Sequence, residues 1–86
     1  MLVTTSEPRV VLYTRPSCHL CDTARDVVEA VTADTGTGWR EVDISHGPES
    51  GALTAKYGEY VPVVEVDGVQ QGFWRIDPAR LARLLA

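Results

Sequence analysis

Cysteine is scarce in this chain of 86 residues: there are two, Cys18 and Cys21, with two residues between them. A secreted domain of similar size usually carries several, spread out to join distant segments, so a disulfide-stapled extracellular scaffold is disfavoured. Also missing are a Lys/Arg block, a run approaching the roughly 18 apolar residues a membrane helix needs, and any Ser-, Gln- or Pro-rich tract of the kind that keeps chains disordered. With 12 acidic residues against 8 basic ones the net charge is −4, which argues against sequence-independent attraction to phosphate backbones. Met1 to Pro8 has neither the basic nor the apolar region of a secretory signal. The expectation is a cytoplasmic monomer with no nucleic-acid and no membrane partner.

What is present is a 44% hydrophobic content arranged in regular clusters, the mark of a folded domain. A chain this short buries only about 60–65% of the surface its unfolded form exposes, so stability should be modest. Residues 1–8 read as a flexible lead-in and 9–86 as one domain. Arg9 to Thr14 contains the unbroken run Val10-Val11-Leu12-Tyr13, suited to a strand buried on both faces. After Arg15-Pro16-Ser17, Ala24, Val27, Val28 and Val31 recur at helical spacing, and Gly36-Thr37-Gly38 should end that helix. Trp39 to Ile44 predicts a second strand, with Val42 and Ile44 on the side of Arg40. Gly47-Pro48 predicts the start of a short helix that Gly58 ends. Val61 to Val66 and Val69 to Trp74 form a hairpin across Asp67-Gly68. A last helix is capped by Asp77, with Pro78 in its first turn and Ile76 stapled to Leu81. The order βαβαββα predicts an α/β fold: a four-stranded mixed sheet flanked by three helices, with a right-handed first crossover.

Cys18-His19-Leu20-Cys21 falls between the buried strand and the first helix, so the Cys18 sulfur should meet free backbone N–H groups and the positive end of the helix dipole. Both favour thiolate, the species that attacks disulfides. Cys18 is therefore the candidate nucleophile. Cys21, one turn further on and more buried, is the candidate to attack the mixed disulfide Cys18 forms. The pair closes too small a loop to add much stability, which leaves chemical uses: redox exchange or metal ligation.

The segment Val11-Leu12-Tyr13-Thr14-Arg15-Pro16-Ser17-Cys18-His19-Leu20-Cys21 resembles the first strand and active-site loop of glutaredoxins, and Tyr60-Val61-Pro62 resembles their Thr-Val-Pro segment. The resemblance spans nearly the whole chain and implies a thioredoxin-like fold. It further implies that Pro62 is cis and faces the cysteines, and that Val61 offers backbone hydrogen bonds to a substrate chain. Arg15 stands where glutaredoxins usually carry a lysine that lowers the thiol pKa and grips a carboxylate, and arginine can do both. The implied activity is thiol–disulfide exchange on a disulfide-containing protein or small thiol, with no bound cofactor and an external thiol or reductase as electron donor. One departure stands out. Glutaredoxins follow the hairpin with Gly-Gly-x-Asp to hold glutathione, whereas this chain reads Gly72-Phe73-Trp74-Arg75, whose bulk and positive charge count against that ligand.

Two other readings stay open. In one, Cys18 and Cys21 supply two ligands of a metal site, although zinc usually takes four and the two histidines, His19 and His46, fit no familiar spacing. In the other, the chain is a redox-inert interaction module, since fold alone does not fix function. His19 and His46 read as surface polar residues, and Trp39 and Trp74 as core or edge packing with an apolar rim for a partner as the alternative role.

Overall fold

In the structure, a computed structural model that describes residues 8–86, the apolar run after Arg9 becomes strand β1 (Val10–Thr14) at the centre of the sheet. All but Pro8 of the lead-in 1–8 lies outside the described residues. Strand β2 (Trp39–Asp43) pairs with β1 in parallel, from Val10 opposite Trp39 to Thr14 opposite Asp43. Strand β3 (Val63–Val66) lies antiparallel on the other side, with Leu12 opposite Val64, and β4 (Val69–Phe73) pairs antiparallel to β3. The order is β2-β1-β3-β4, a mixed sheet. The β3–β4 turn works because Asp67 and Gly68 both adopt positive φ, 54° and 83°, which only a short polar residue and glycine accept readily. Arg9 clamps that turn through two bonds of 3.0 Å to the Asp67 carboxylate.

Side chains alternate across a strand, and the two faces take different cover. Val10, Leu12, Val64 and Val66 pack with Ala24 and Val28 of α1 (His19–Thr35) and with Ile76, Leu81 and Leu85, the last two on α3 (Pro78–Leu85). Tyr13 and Val63 meet Ile44, Leu53 and Tyr57 in a second cluster that also holds Val61 and Cys21, with Leu53 and Tyr57 coming from α2 (Ser50–Tyr57). Gly36 ends α1 at φ 69°, its N–H and that of Thr37 both reaching Thr32 O. Asp77 caps α3, its carboxylate accepting from the N–H groups of Ala79 at 3.0 Å and Arg80 at 3.4 Å.

Several local expectations shift. Helix α2 starts at Ser50, not at Gly47-Pro48. The Asp43 carboxylate accepts from the backbone and hydroxyl of Ser45 at 2.9 and 2.6 Å, and Gly47 sits at φ 91°. These turns occupy Pro48 before the helix can begin. Gly58 ends α2 with helical angles, φ −53° and ψ −34°, not in the left-handed form. Arg40 is exposed while Val42 is half-buried and Ile44 buried, as suits an edge strand with one guarded face. Pro62, with no N–H to give a ladder, stands just before β3.

Candidate active site

The loop after β1 is fixed from below. Buried Thr14 donates its hydroxyl to Glu41 at 2.7 Å, and Glu41 accepts two bonds of 2.7 Å from Arg25 of α1, which also holds Asp22 at 2.9 Å. The end of β1, the middle of β2 and the first turns of α1 are thereby tied together. Ser17 reverses the chain at φ 60°, and Cys18 follows as the N-cap of α1, extended at φ −119° and ψ 109°. Its Sγ accepts the Cys21 backbone N–H at 3.1 Å. The sulfur occupies the place that a serine or aspartate oxygen takes in an ordinary cap, at the positive end of a 17-residue helix. That is a setting in which thiolate is favoured.

Cys18 and Cys21 are joined as a disulfide, with Cα atoms 5.2 Å apart. Cys21 is 1% exposed and Cys18 is half-buried, so an approaching molecule meets Cys18 first. Cys18, Arg15 and Val61 border one open groove of about 580 Å³, whose far wall is Phe73, Trp74 and Arg75. Arg15 is exposed and donates to Gly58 O at 3.1 Å. The Val61–Pro62 peptide is cis, and both residues are buried. Val61 gives its N–H to Tyr57 O at 3.1 Å, while Pro62 O accepts the Trp74 N–H at 2.8 Å. Of the five residues singled out from the sequence, three thus line the groove, and Cys21 and Pro62 are buried beside their partners.

Two features escaped the sequence reading. Glu65, half-buried on β3, accepts hydrogen bonds from both Tyr13, at 3.3 Å, and Tyr57, at 2.5 Å. Burial, and after it the bond to Glu65, hold the Tyr57 phenol well above its ordinary range. The second is an aromatic patch in which Phe73 and Trp74 of the groove wall join Tyr60; of the three, the sequence reading held only Trp74, as an alternative apolar rim for a partner. The signal available for it was three aromatic residues bracketing one hairpin. The two tryptophans separate: Trp39 packs against the first core cluster, whereas Trp74 is exposed. His19 and His46 are exposed, His46 bonded to Asp43 at 2.8 Å. Among the described residues no group of three or more His, Cys, Asp or Glu side chains is placed to hold a metal ion, and no helix is long and apolar enough to cross a membrane.

Comparison with known proteins agrees with this architecture. Residues 9–86 match the family described as "Glutaredoxin-like domain (DUF836)". An uncharacterized protein of Mycobacterium tuberculosis is 30% identical over 78 residues, covering 88% of this chain and 80% of the relative. A solved structure from X. campestris is 32% identical, with a TM-score of 0.69 over 88% of this chain and 93% of its own. Thioredoxin O2 of Arabidopsis thaliana in its oxidized state shares the fold at 24% identity, with a TM-score of 0.63 over 93% of this chain and 73% of its own.

Proposed function

The chain belongs to the glutaredoxin-like domain family (DUF836), and from that premise we propose that it is a thiol–disulfide oxidoreductase that reduces protein or small-molecule disulfides through Cys18 and Cys21. One observation carries the reading: the half-buried Cys18 sulfur caps α1 and accepts a backbone N–H, while its partner Cys21 is buried. In the reduced protein the Cys18 thiolate attacks one sulfur of a substrate disulfide. A bond forms between Cys18 and that sulfur, the substrate S–S bond breaks, and the departing thiolate takes a proton. Cys21, having lost its own proton, then attacks Cys18 Sγ and expels the second substrate thiol. Two electrons have passed to the substrate, and the protein is left with its internal disulfide.

That internal disulfide is the oxidised form, and two electrons and two protons from an external thiol or reductase restore the dithiol. No bound cofactor enters the cycle. Arg15 at the groove edge adds positive charge near the reacting sulfur, and, because the Val61 N–H already donates to Tyr57 O, the Val61 carbonyl is the group left to pair with an extended substrate. Localisation in the cytoplasm, where thiols are kept reduced, suits this cycle. The chain acts as a monomer in it.

The test is turnover of a small disulfide by the reduced protein, coupled to a thiol donor that restores the dithiol. Wild type should turn over, Cys18→Ser should fall to the uncatalysed background, and Cys21→Ser should accumulate a mixed disulfide. Thiolate absorbance against pH should place Cys18 within about 3.5–7.5. An ordinary thiol pKa near 8.5 together with no turnover would sink the assignment.

A further inference from the structure

The exchange chemistry does not use the aromatic wall beside Cys18. Tyr60, Phe73 and Trp74 are 45%, 43% and 49% exposed, yet they contact one another, with ring centroids 5.1 to 6.4 Å apart. A contiguous exposed apolar patch on a small chain marks a binding surface more often than isolated exposed residues do. The polar handles of Trp74 are turned inward: its indole N–H donates to Glu59 O at 3.0 Å and its backbone N–H to Pro62 O at 2.8 Å. With those donors engaged, Trp74 offers a ligand an apolar ring and no hydrogen bond. Phe73 has none to offer. Phe73 and Trp74 share their groove with Cys18, so a molecule held by disulfide to that sulfur lies within reach of the rings.

Charge narrows the choice. The groove is lined by Arg15 and Arg75 against Glu59, a local positive surplus on a chain whose net charge is −4. Neither arginine is ion-paired among the described residues. Resting on the redox reading above, we propose that the preferred substrate is a disulfide on an extended polypeptide, carrying an apolar side chain beside its cysteine and an acidic residue next to that. The apolar side chain lies on Phe73 and Trp74 and the carboxylate faces Arg75. Electrons and protons follow the exchange already described; only the substrate is narrowed.

The experiment uses the reduced full chain and four substrates, each with the same thiol donor. Three are cysteine peptides in mixed disulfide with mercaptoethanol, flanked by Leu and Glu, by Ser and Glu, or by Leu and Lys. The fourth is bis(2-hydroxyethyl) disulfide, which carries neither an apolar side chain nor a charge. The Leu/Glu peptide should exceed the Ser/Glu peptide in kcat/KM by about tenfold, the range for one apolar contact in a pocket. It should exceed the Leu/Lys peptide several-fold, by a margin that shrinks as salt screens the charge. Phe73→Ser should erase most of the Leu advantage, and Arg75→Glu, at an exposed position where folding is not at stake, should reverse the Glu over Lys order. If the small disulfide is reduced but the three peptides react alike, the substrate assignment falls and the redox reading stands. If none of the four is reduced, both fall.

Discussion

Glu41 ties the loop that carries Cys18 to the sheet, and its charge is the means. Two hydrogen bonds from Arg25 are the main cause that holds its carboxyl below the usual range; partial burial works in the opposite direction, and the bond from Thr14 adds to the lowering. A carboxyl with a lowered pKa in the folded state contributes stability above its ordinary pKa, and that contribution is lost as pH falls through the lowered value. Glu41→Gln should therefore cost about 1 kcal/mol at neutral pH, a figure kept small because the pair is partly exposed. The gap to wild type should close in acid. Urea titrations at pH 7 and pH 3 check this, and an unchanged gap at pH 3 would assign the effect to shape and not charge. Tyr57 has the opposite sign. Burial first, then Glu65 through its hydrogen bond and charge, raise its pKa, so the contribution is whole below about pH 10, the ordinary tyrosine value, and is lost as pH rises towards the raised one. Tyr57→Phe should flatten the alkaline limb of a stability–pH curve. At this scale Cys18 and Cys21 were legible because their spacing is local, whereas Glu65 was not, because its partners arrive from β1 and α2, 52 and 8 residues away.

Among the elements, α3 shows how a terminal signal becomes stability. Eight residues make too short a helix to persist alone, and the Asp77 carboxylate answers two of its free N–H groups. Asp77→Ala should cost about 1 kcal/mol, read as a lower urea midpoint with an unchanged slope. An unchanged midpoint would mean that docking by Leu81 and Leu85 alone sets the helix. The β3–β4 turn makes the companion case: Gly68 stands at φ 83° with open space around a would-be Cβ, so Gly68→Ala should destabilise by about 1 kcal/mol through backbone strain and not by a clash. Both elements were legible because their signals are adjacent in sequence. The start of α2 was misplaced for the complementary reason: proline favours a helix start, but the Asp43–Ser45 turn and Gly47 impose a competing path that residue preferences alone do not rank. The exposure of Trp74 was hidden similarly, since it depends on a left-handed residue at φ 60° whose N–H is claimed by Pro62 O.

For the molecule as a whole, the sheet separates two clusters with different duties. The first, under α1 and α3, holds Val10, Leu12, Val28 and Leu81 and contains no site residue; the second, under α2, includes Cys21 and Val61 and carries the groove. A domain of this length has a total stability of roughly 4–13 kcal/mol, and truncating a buried leucine removes about 2–5 kcal/mol of it. Leu81, 2% exposed within the first cluster, is one place where that loss falls in full. Leu81→Ala should bring the urea midpoint close to that of a marginal fold. Half-buried Leu53, which already gives part of its surface to water, should cost less when truncated to alanine. The two variants should diverge again in chemistry. Since the Cys18 sulfur is set by the start of α1 and by the Arg25–Glu41–Thr14 tie, and not by contact with α3, the folded fraction of Leu81→Ala should keep the wild-type Cys18 thiol pKa. A pKa that moved in step with the lost stability would mean that the first cluster also positions the helix start, and that the two faces are mechanically one.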